Sequence, residues 1–182
     1  MKNIFETTLI ILVIFSLLID KQIASFIASN RILILNQFFT FIVNYISAEI
    51  ILAILLIYII FKKRKLLKPY IVSLLSYLVI VNALKYLIAR PRPFIALALE
   101  KLPDISYAFS SWNASFPSGH AVVLFLMIPF IDNKYKPYWF ALAIIIVLSR
   151  IYVGFHYLSD VIFGALLGYL IAKTSIKYFS KN

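Results

Sequence analysis

Cysteine is absent from the 182 residues and histidine occurs only twice. No disulfide framework and no thiolate metal site is possible, and two histidines argue against a histidine-rich metal site. The redox compartment is left open by the same absence. Glycine is scarce, at four residues, and seven acidic side chains stand against eighteen Lys and Arg. The resulting formal charge of +11 raises nucleic acid as a partner, but the cations are not gathered on a soluble face with interleaved aromatics, as that partner requires. They stand at the ends of apolar runs, the pattern of orientation by the positive-inside rule, with attraction to anionic lipid as a second effect. There is no internal repeat, no low-complexity linker and no domain boundary, so residues 1–182 are read as one domain.

What the chain does have is hydrophobic surface. Apolar residues make up 63% of it and the mean hydropathy is +0.96, values of a polytopic membrane protein rather than a soluble globule. Apolar segments fall at residues 4–19, 46–61, 69–88, 118–132, 138–152 and 157–176, each near the roughly 17–25 residues that cross a bilayer as a helix. The expectation is an all-α bundle of six transmembrane helices. Residues 26–45 carry Asn30, Arg31, Asn36, Gln37 and Asn44 among apolar neighbours and predict an interfacial amphipathic helix between the first two spans. The start of the chain, Lys2 followed by an apolar run to Ile19, has the outline of a signal peptide. Asp20 and Lys21 stand where a small-residue cleavage site belongs, so it is read as an uncleaved first span.

Six spans put both termini on one side, with Lys62, Lys63, Arg64, Lys65, Lys68, Lys134, Lys136, Lys173, Lys177 and Lys181. With Lys2 that side holds eleven of the eighteen cations and is expected to be cytoplasmic in a cell membrane. The turn after the third span, the start of the fourth and the join of the fifth and sixth then share the outer face. Trp112 on that face and Trp139 near the inner one fit interfacial anchoring.

Three segments on the outer face carry the polar residues that the apolar runs lack. In the first, Lys85 precedes Arg90-Pro91-Arg92-Pro93 by two helical turns or less. It reads as a pair of cations for an anion, Arg being able to bond phosphate oxygens in bidentate fashion, or as a positive helix flank reaching the head groups. The prolines are expected to end the helix there. In the second, Phe116-Pro117-Ser118-Gly119-His120 leads into an apolar run. It reads as a helix N-terminus whose free N–H groups form an anion site that Gly119 lets phosphate approach, or as an ordinary helix start. The third runs from Ser149 to Asp160 and contains Arg150, Gly154 and His156. Ionised groups in a membrane span cost about 2.5–3.5 kcal/mol each on the mildest scale, which makes them functional candidates. His156 and Asp160 are spaced i, i+4, so the carboxylate is expected to face the ring and hold one nitrogen as a donor, leaving the other nucleophilic. Alternatively, Asp160 merely satisfies a buried histidine. Gly164 and Gly168 form a small-xxx-small pair expected to pack the last span against a neighbour.

Written as patterns, these segments are Lys-x6-Arg-Pro, Pro-Ser-Gly-His and Ser-Arg-x5-His-x3-Asp. They resemble the three-part signature of the type 2 phosphatidic acid phosphatase superfamily, which includes lipid phosphate phosphatases and vanadium haloperoxidases. Arg92-Pro93, not Arg90-Pro91, has the family spacing from Lys85. The resemblance implies that His156 attacks phosphorus to give a phosphohistidine, that Asp160 orients it, and that His120 protonates the leaving oxygen and later helps activate water. It also implies that Lys85, Arg92, Arg150, Ser118 and the Gly119 amide bind the phosphoryl oxygens, with no cofactor and no metal. Three cations and a helix N-terminus would supply the electrostatic stabilisation that magnesium supplies in kinases.

The implied partner is a lipid phosphate in the bilayer, at the outer face. Relatives of this kind act on phosphatidylglycerol phosphate, phosphatidic acid, polyprenyl diphosphate or the 1-phosphate of lipid A. The loop 94–116, with Glu100, Lys101 and Asp104, gives no basis for choosing among them. A haloperoxidase using the same anion site for vanadate, or a non-catalytic transporter or lipid-binding protein of the same hydropathy, are the competing readings.

Overall fold

The computed structural model describes residues 4–97 and 114–181, so Trp112, Lys2 and the charged residues Glu100, Lys101 and Asp104 lie outside the described residues. Among the described residues eight helices follow one another: α1 Ile4–Ser29, α2 Leu33–Tyr45, α3 Ala48–Lys62, α4 Leu67–Ile88, α5 Pro93–Ala96, α6 Gly119–Leu126, α7 Lys136–Tyr152 and α8 Leu158–Phe179. Single 3-10 turns at Arg64–Leu66 and Asn133–Tyr135 lead into α4 and α7. The expected all-α membrane architecture is what is found.

Local chemistry sets the helix ends that matter for function. Ser47 caps α3 by accepting from the Ile50 N–H at 3.3 Å. α4 stops at Ile88, where Ala89 turns left-handed at φ 45° and Pro91 two residues on cannot continue the ladder. Gly154, at φ 84°, reverses the chain after α7, a conformation glycine adopts without a Cβ clash. α8 opens with Asp160 three residues into the turn, accepting from the Tyr157 N–H at 2.8 Å, the carboxylate half of a capping box.

Helix α6 lies in the middle of the bundle, with Ala121 to Leu124 and Leu126 at 0% exposure. Gly164 and Gly168 let α8 lie against it: a Cβ on Gly164 would stand 2.8 Å from the Ser118 carbonyl oxygen, and one on Gly168 2.0 Å from that of Val122. The small-xxx-small pair therefore does what its spacing predicted. Tyr70 and Phe130 close the core below α6, edge to face at 5.7 Å. Large apolar side chains such as Leu18, Phe26, Phe61, Val79 and Leu87 point outward, as lipid-facing surface does.

Among the described residues three stretches are long and apolar enough to cross a bilayer, Thr7–Ser29, Arg64–Ile88 and Leu158–Phe179, and α2 with α3, bent by 59° at their join, makes a fourth if counted as one. The expected six are not reached on length and composition. Two expected runs are missing from that set: 138–152, whose helix α7 is 17 residues long, and 118–132, whose helix ends at Leu126 before the chain turns through Met127 to Phe130 around Pro129, with most of its side chains buried by other helices. The expected interfacial helix over 26–45 is also divided. Residues up to Ser29 continue α1, and α2 begins only at Leu33.

Candidate active site

The C-terminal ends of α4 and α7 and the N-terminal ends of α6 and α8 meet at one end of the bundle, stitched by main-chain bonds. The Ser115 N–H donates to the Arg90 carbonyl at 2.7 Å, Pro91 and Ala114 form an isolated β-bridge, the Ser118 N–H donates to the Asp160 carbonyl at 3.1 Å, and the Phe94 N–H donates to the Gly154 carbonyl at 3.1 Å. The Phe155 and His156 N–H groups both donate to the Arg150 carbonyl, at 3.0 and 3.2 Å. The three motif segments are thus brought together at one end of the bundle.

His156 is buried between α7 and α8, and its Nδ1 lies 2.7 Å from the Ser115 carbonyl oxygen. A carbonyl only accepts, so Nδ1 carries the proton and Nε2 the lone pair. Asp160 was expected to make this bond. Its Oδ2 is instead 3.8 Å from Nδ1, too long for a hydrogen bond, because that oxygen caps α8 at Tyr157. Burial holds the ring down to about 4, against the attraction of Asp160 and helped by the charges of Arg92 and Lys85. The imidazole is therefore neutral at neutral pH, with Nε2 unprotonated.

Arg150 Nη2 donates to the Ile46 carbonyl at 2.9 Å and lies 2.7 Å from His120 Nε2. A guanidinium only donates, so that nitrogen of His120 accepts. Lys85 Nζ donates to the Ala114 carbonyl at 2.7 Å, with Arg92 and Asp160 as its charged neighbours. The Arg92 guanidinium lies over the Phe155 ring, 5.1 Å from its centroid. Pro117 precedes α6: Ser118 is the N-cap and Gly119 the first helical residue. The Ser118 hydroxyl is buried with no hydrogen-bond partner among the described residues. Among the described residues a Cβ on Gly119 would meet only the Tyr77 hydroxyl, at 3.5 Å. Two histidines, three cations, an unused hydroxyl and a helix N-terminus converge, an arrangement suited to a tetrahedral anion.

Four further residues take part. Arg90 bonds Asp160 Oδ1 through Nη1 at 2.6 Å and Asp20 Oδ2 of α1 through Nη2 at 2.8 Å, and Ser159 bonds Arg90 and Asp20. Asp20 carried a signal in the sequence, an acid at the end of an apolar run. Ser115 acts through its main chain and carried none.

The PAP2 superfamily profile matches residues 66–182. The undecaprenyl-diphosphatase of Sulfolobus acidocaldarius is 30% identical over 168 residues, 87% of this chain and 77% of that protein. The crystal structure of Aquifex aeolicus LpxE superposes with a TM-score of 0.70 at 31% identity, over 88% of this chain and 96% of that one. The first transmembrane PAP2 type phosphatidylglycerolphosphate phosphatase from Bacillus subtilis shares the fold, with a TM-score of 0.62 at 21% identity over 97% and 96%. Motif spacing, the meeting of the three motifs and these likenesses agree, and the chain belongs to the PAP2 superfamily as a multi-pass membrane protein.

Proposed function

We propose that the protein is a lipid phosphatase working through a phosphohistidine. The carrying observation is the His156 ring, fixed by the Ser115 carbonyl with its other nitrogen unprotonated and the charges of Arg92 and Lys85 acting on it. In this reading Nε2 attacks phosphorus, forming an N–P bond as the P–O bond to the lipid breaks. His120 gives the leaving oxygen its proton, then takes one from the water that cleaves the N–P bond and releases phosphate. Lys85, Arg92, Arg150, the Ser118 hydroxyl and the Gly119 N–H hold the phosphoryl oxygens and the charge that grows on them. For His120 to act as the acid, Arg150 must turn from it to a phosphoryl oxygen and Nε2 must first take up a proton from solvent. Asp160, close to the ring without bonding it, stabilises the positive charge that phosphorylation places there.

The site is read as facing outward. Lys63 pairs with Asp132 at 2.7 Å and Tyr58 donates to the same carboxylate at 2.6 Å, which ties the end of α3 and the chain beyond α6 together at the end rich in Lys and Arg. From His120 to Asp132 the chain thus runs from the site to the basic end, and α7 returns, which supports six crossings with both termini cytoplasmic. The relative named an undecaprenyl-diphosphatase makes a polyprenyl diphosphate the first substrate to try. Phosphate release from that lipid, phosphatidic acid, phosphatidylglycerol phosphate and lipid A, in one detergent with chelator present, tests the reading. Turnover of at least one is expected. No turnover of any, with bound lipid retained, would favour a lipid-binding protein.

A further inference from the structure

Behind the ring of His156 lies a cluster that the phosphoryl-transfer steps do not use, Asp20 of α1, Arg90 and Ser159, joined to Asp160. Asp20 is 2% exposed and Asp160 0%. Arg90 divides one guanidinium between them, at 2.8 and 2.6 Å, donates to Ser159 Oγ at 2.8 Å and lies 4.0 Å from the Tyr157 ring centroid. Ser159 in turn donates to Asp20 with its N–H, at 3.0 Å, and with its hydroxyl. Asp20 stands outside the residues 66–182 that the superfamily profile covers.

We propose that Asp20 and Arg90 are positioning residues for phosphoryl transfer, Asp20 drawing Arg90 so that Asp160 keeps a net negative charge facing His156. This rests on the reading of His156 as nucleophile. One guanidinium shared by two carboxylates leaves the cluster one negative charge. Lys85 and Arg92 also face Asp160, but they keep their charge throughout and turn to the phosphoryl oxygens, whereas the His156 ring, 3.8 Å from Asp160, changes its charge in the reaction. An imidazole attacking phosphorus through Nε2 keeps its Nδ1 proton and becomes a cation. The negative charge of the cluster favours that cation, and it favours it only in the transition state and the intermediate, which is where a site raises kcat. Without Asp20, Arg90 would neutralise Asp160 alone and the attraction would be lost. Arg90 also acts from the other side: its carbonyl holds the Ser115 N–H, and the Ser115 carbonyl holds His156 Nδ1. The first helix is thereby part of the catalytic apparatus.

Asp20→Asn separates charge from shape, since the amide oxygen can still accept from the Ser159 N–H. On the purified full chain, with the lipid phosphate that wild type turns over best, its kcat is expected to fall about tenfold to a hundredfold. KM and inhibition by inorganic phosphate should stay within about twofold, because the phosphate ligands are untouched. Arg90→Lys, which keeps the charge but not the fork, should also lower kcat, and the double variant should be no worse than the poorer single one, since both act through Asp160. Full kcat in folded Asp20→Asn, a loss spread equally over KM and phosphate inhibition, or multiplying losses in the double variant would overturn the proposal. If Asp20→Asn does not fold, an Arg90→Lys protein with full kcat overturns it alone, and one with lowered kcat at unchanged KM supports it. A wild type that releases no phosphate from any lipid would defeat the phosphatase reading itself, a different failure from an insensitive Asp20.

Discussion

The Ser115 carbonyl oxygen, 2.7 Å from His156 Nδ1, fixes the tautomer of the histidine through the main chain. In hydrolase triads that work is done by a carboxylate, and its conversion to the amide costs about 10⁴-fold in kcat because the wrong tautomer results. Here the carboxylate of Asp160 is 3.8 Å away and its contribution is charge.

Asp160→Asn should therefore be milder than that precedent. A fall in kcat of about a hundredfold or less is expected, with the tautomer preserved. Steady-state kinetics on folded variant decide it, and a loss near 10⁴-fold would assign the tautomer to Asp160 after all.

The acid limb of the pH profile follows from the ring of His156. Burial depresses its pKa to about 4, so the attacking nitrogen is free above that value and blocked by a proton below it. In kcat/KM, which reports groups of the free enzyme, activity should hold as pH falls from 7 through 5 and drop as it passes about 4. A profile already halved near 6.5, the ordinary histidine value, would place the ring in a less buried setting.

Ser118→Ala isolates ligand binding from folding. The hydroxyl is buried and has no partner among the described residues, so removing it breaks no internal hydrogen bond, and the melting temperature in detergent should be unchanged or raised. A hydrogen bond to a charged group contributes about 1.5–3 kcal/mol, so kcat/KM should fall by about ten- to a hundredfold. An unchanged kcat/KM would remove Ser118 from the phosphate ligands.

The sequence made the residue types of the site legible because a membrane penalises ionised groups: Lys85, Arg150, His156 and Asp160 stood out against apolar runs, and all reach the same end of the bundle. It could not give partners. The i, i+4 spacing placed Asp160 beside His156 but not which acceptor the ring would choose, since Ser115 competes through an oxygen every residue has. Arg90 was passed over because motif spacing favoured Arg92, yet only three dimensions bring Asp20 across from α1 to hold it. For the fold, hydropathy located the long helices but not the short α5, and it could not tell a lipid-facing helix from α6, which is apolar because other helices surround it. The polar residues of 26–45 suggest one surface helix, but two of them, Asn30 and Arg31, stand at the break between α1 and α2.

The central claim is the N–P bond at His156. Purified wild type mixed with lipid carrying ³²P in its terminal phosphate, quenched in alkali within the first turnover, should hold acid-labile, base-stable label that maps to His156. His156→Ala should hold none and release no phosphate. Label on another residue, or phosphate release by His156→Ala at the wild-type rate, would contradict the account.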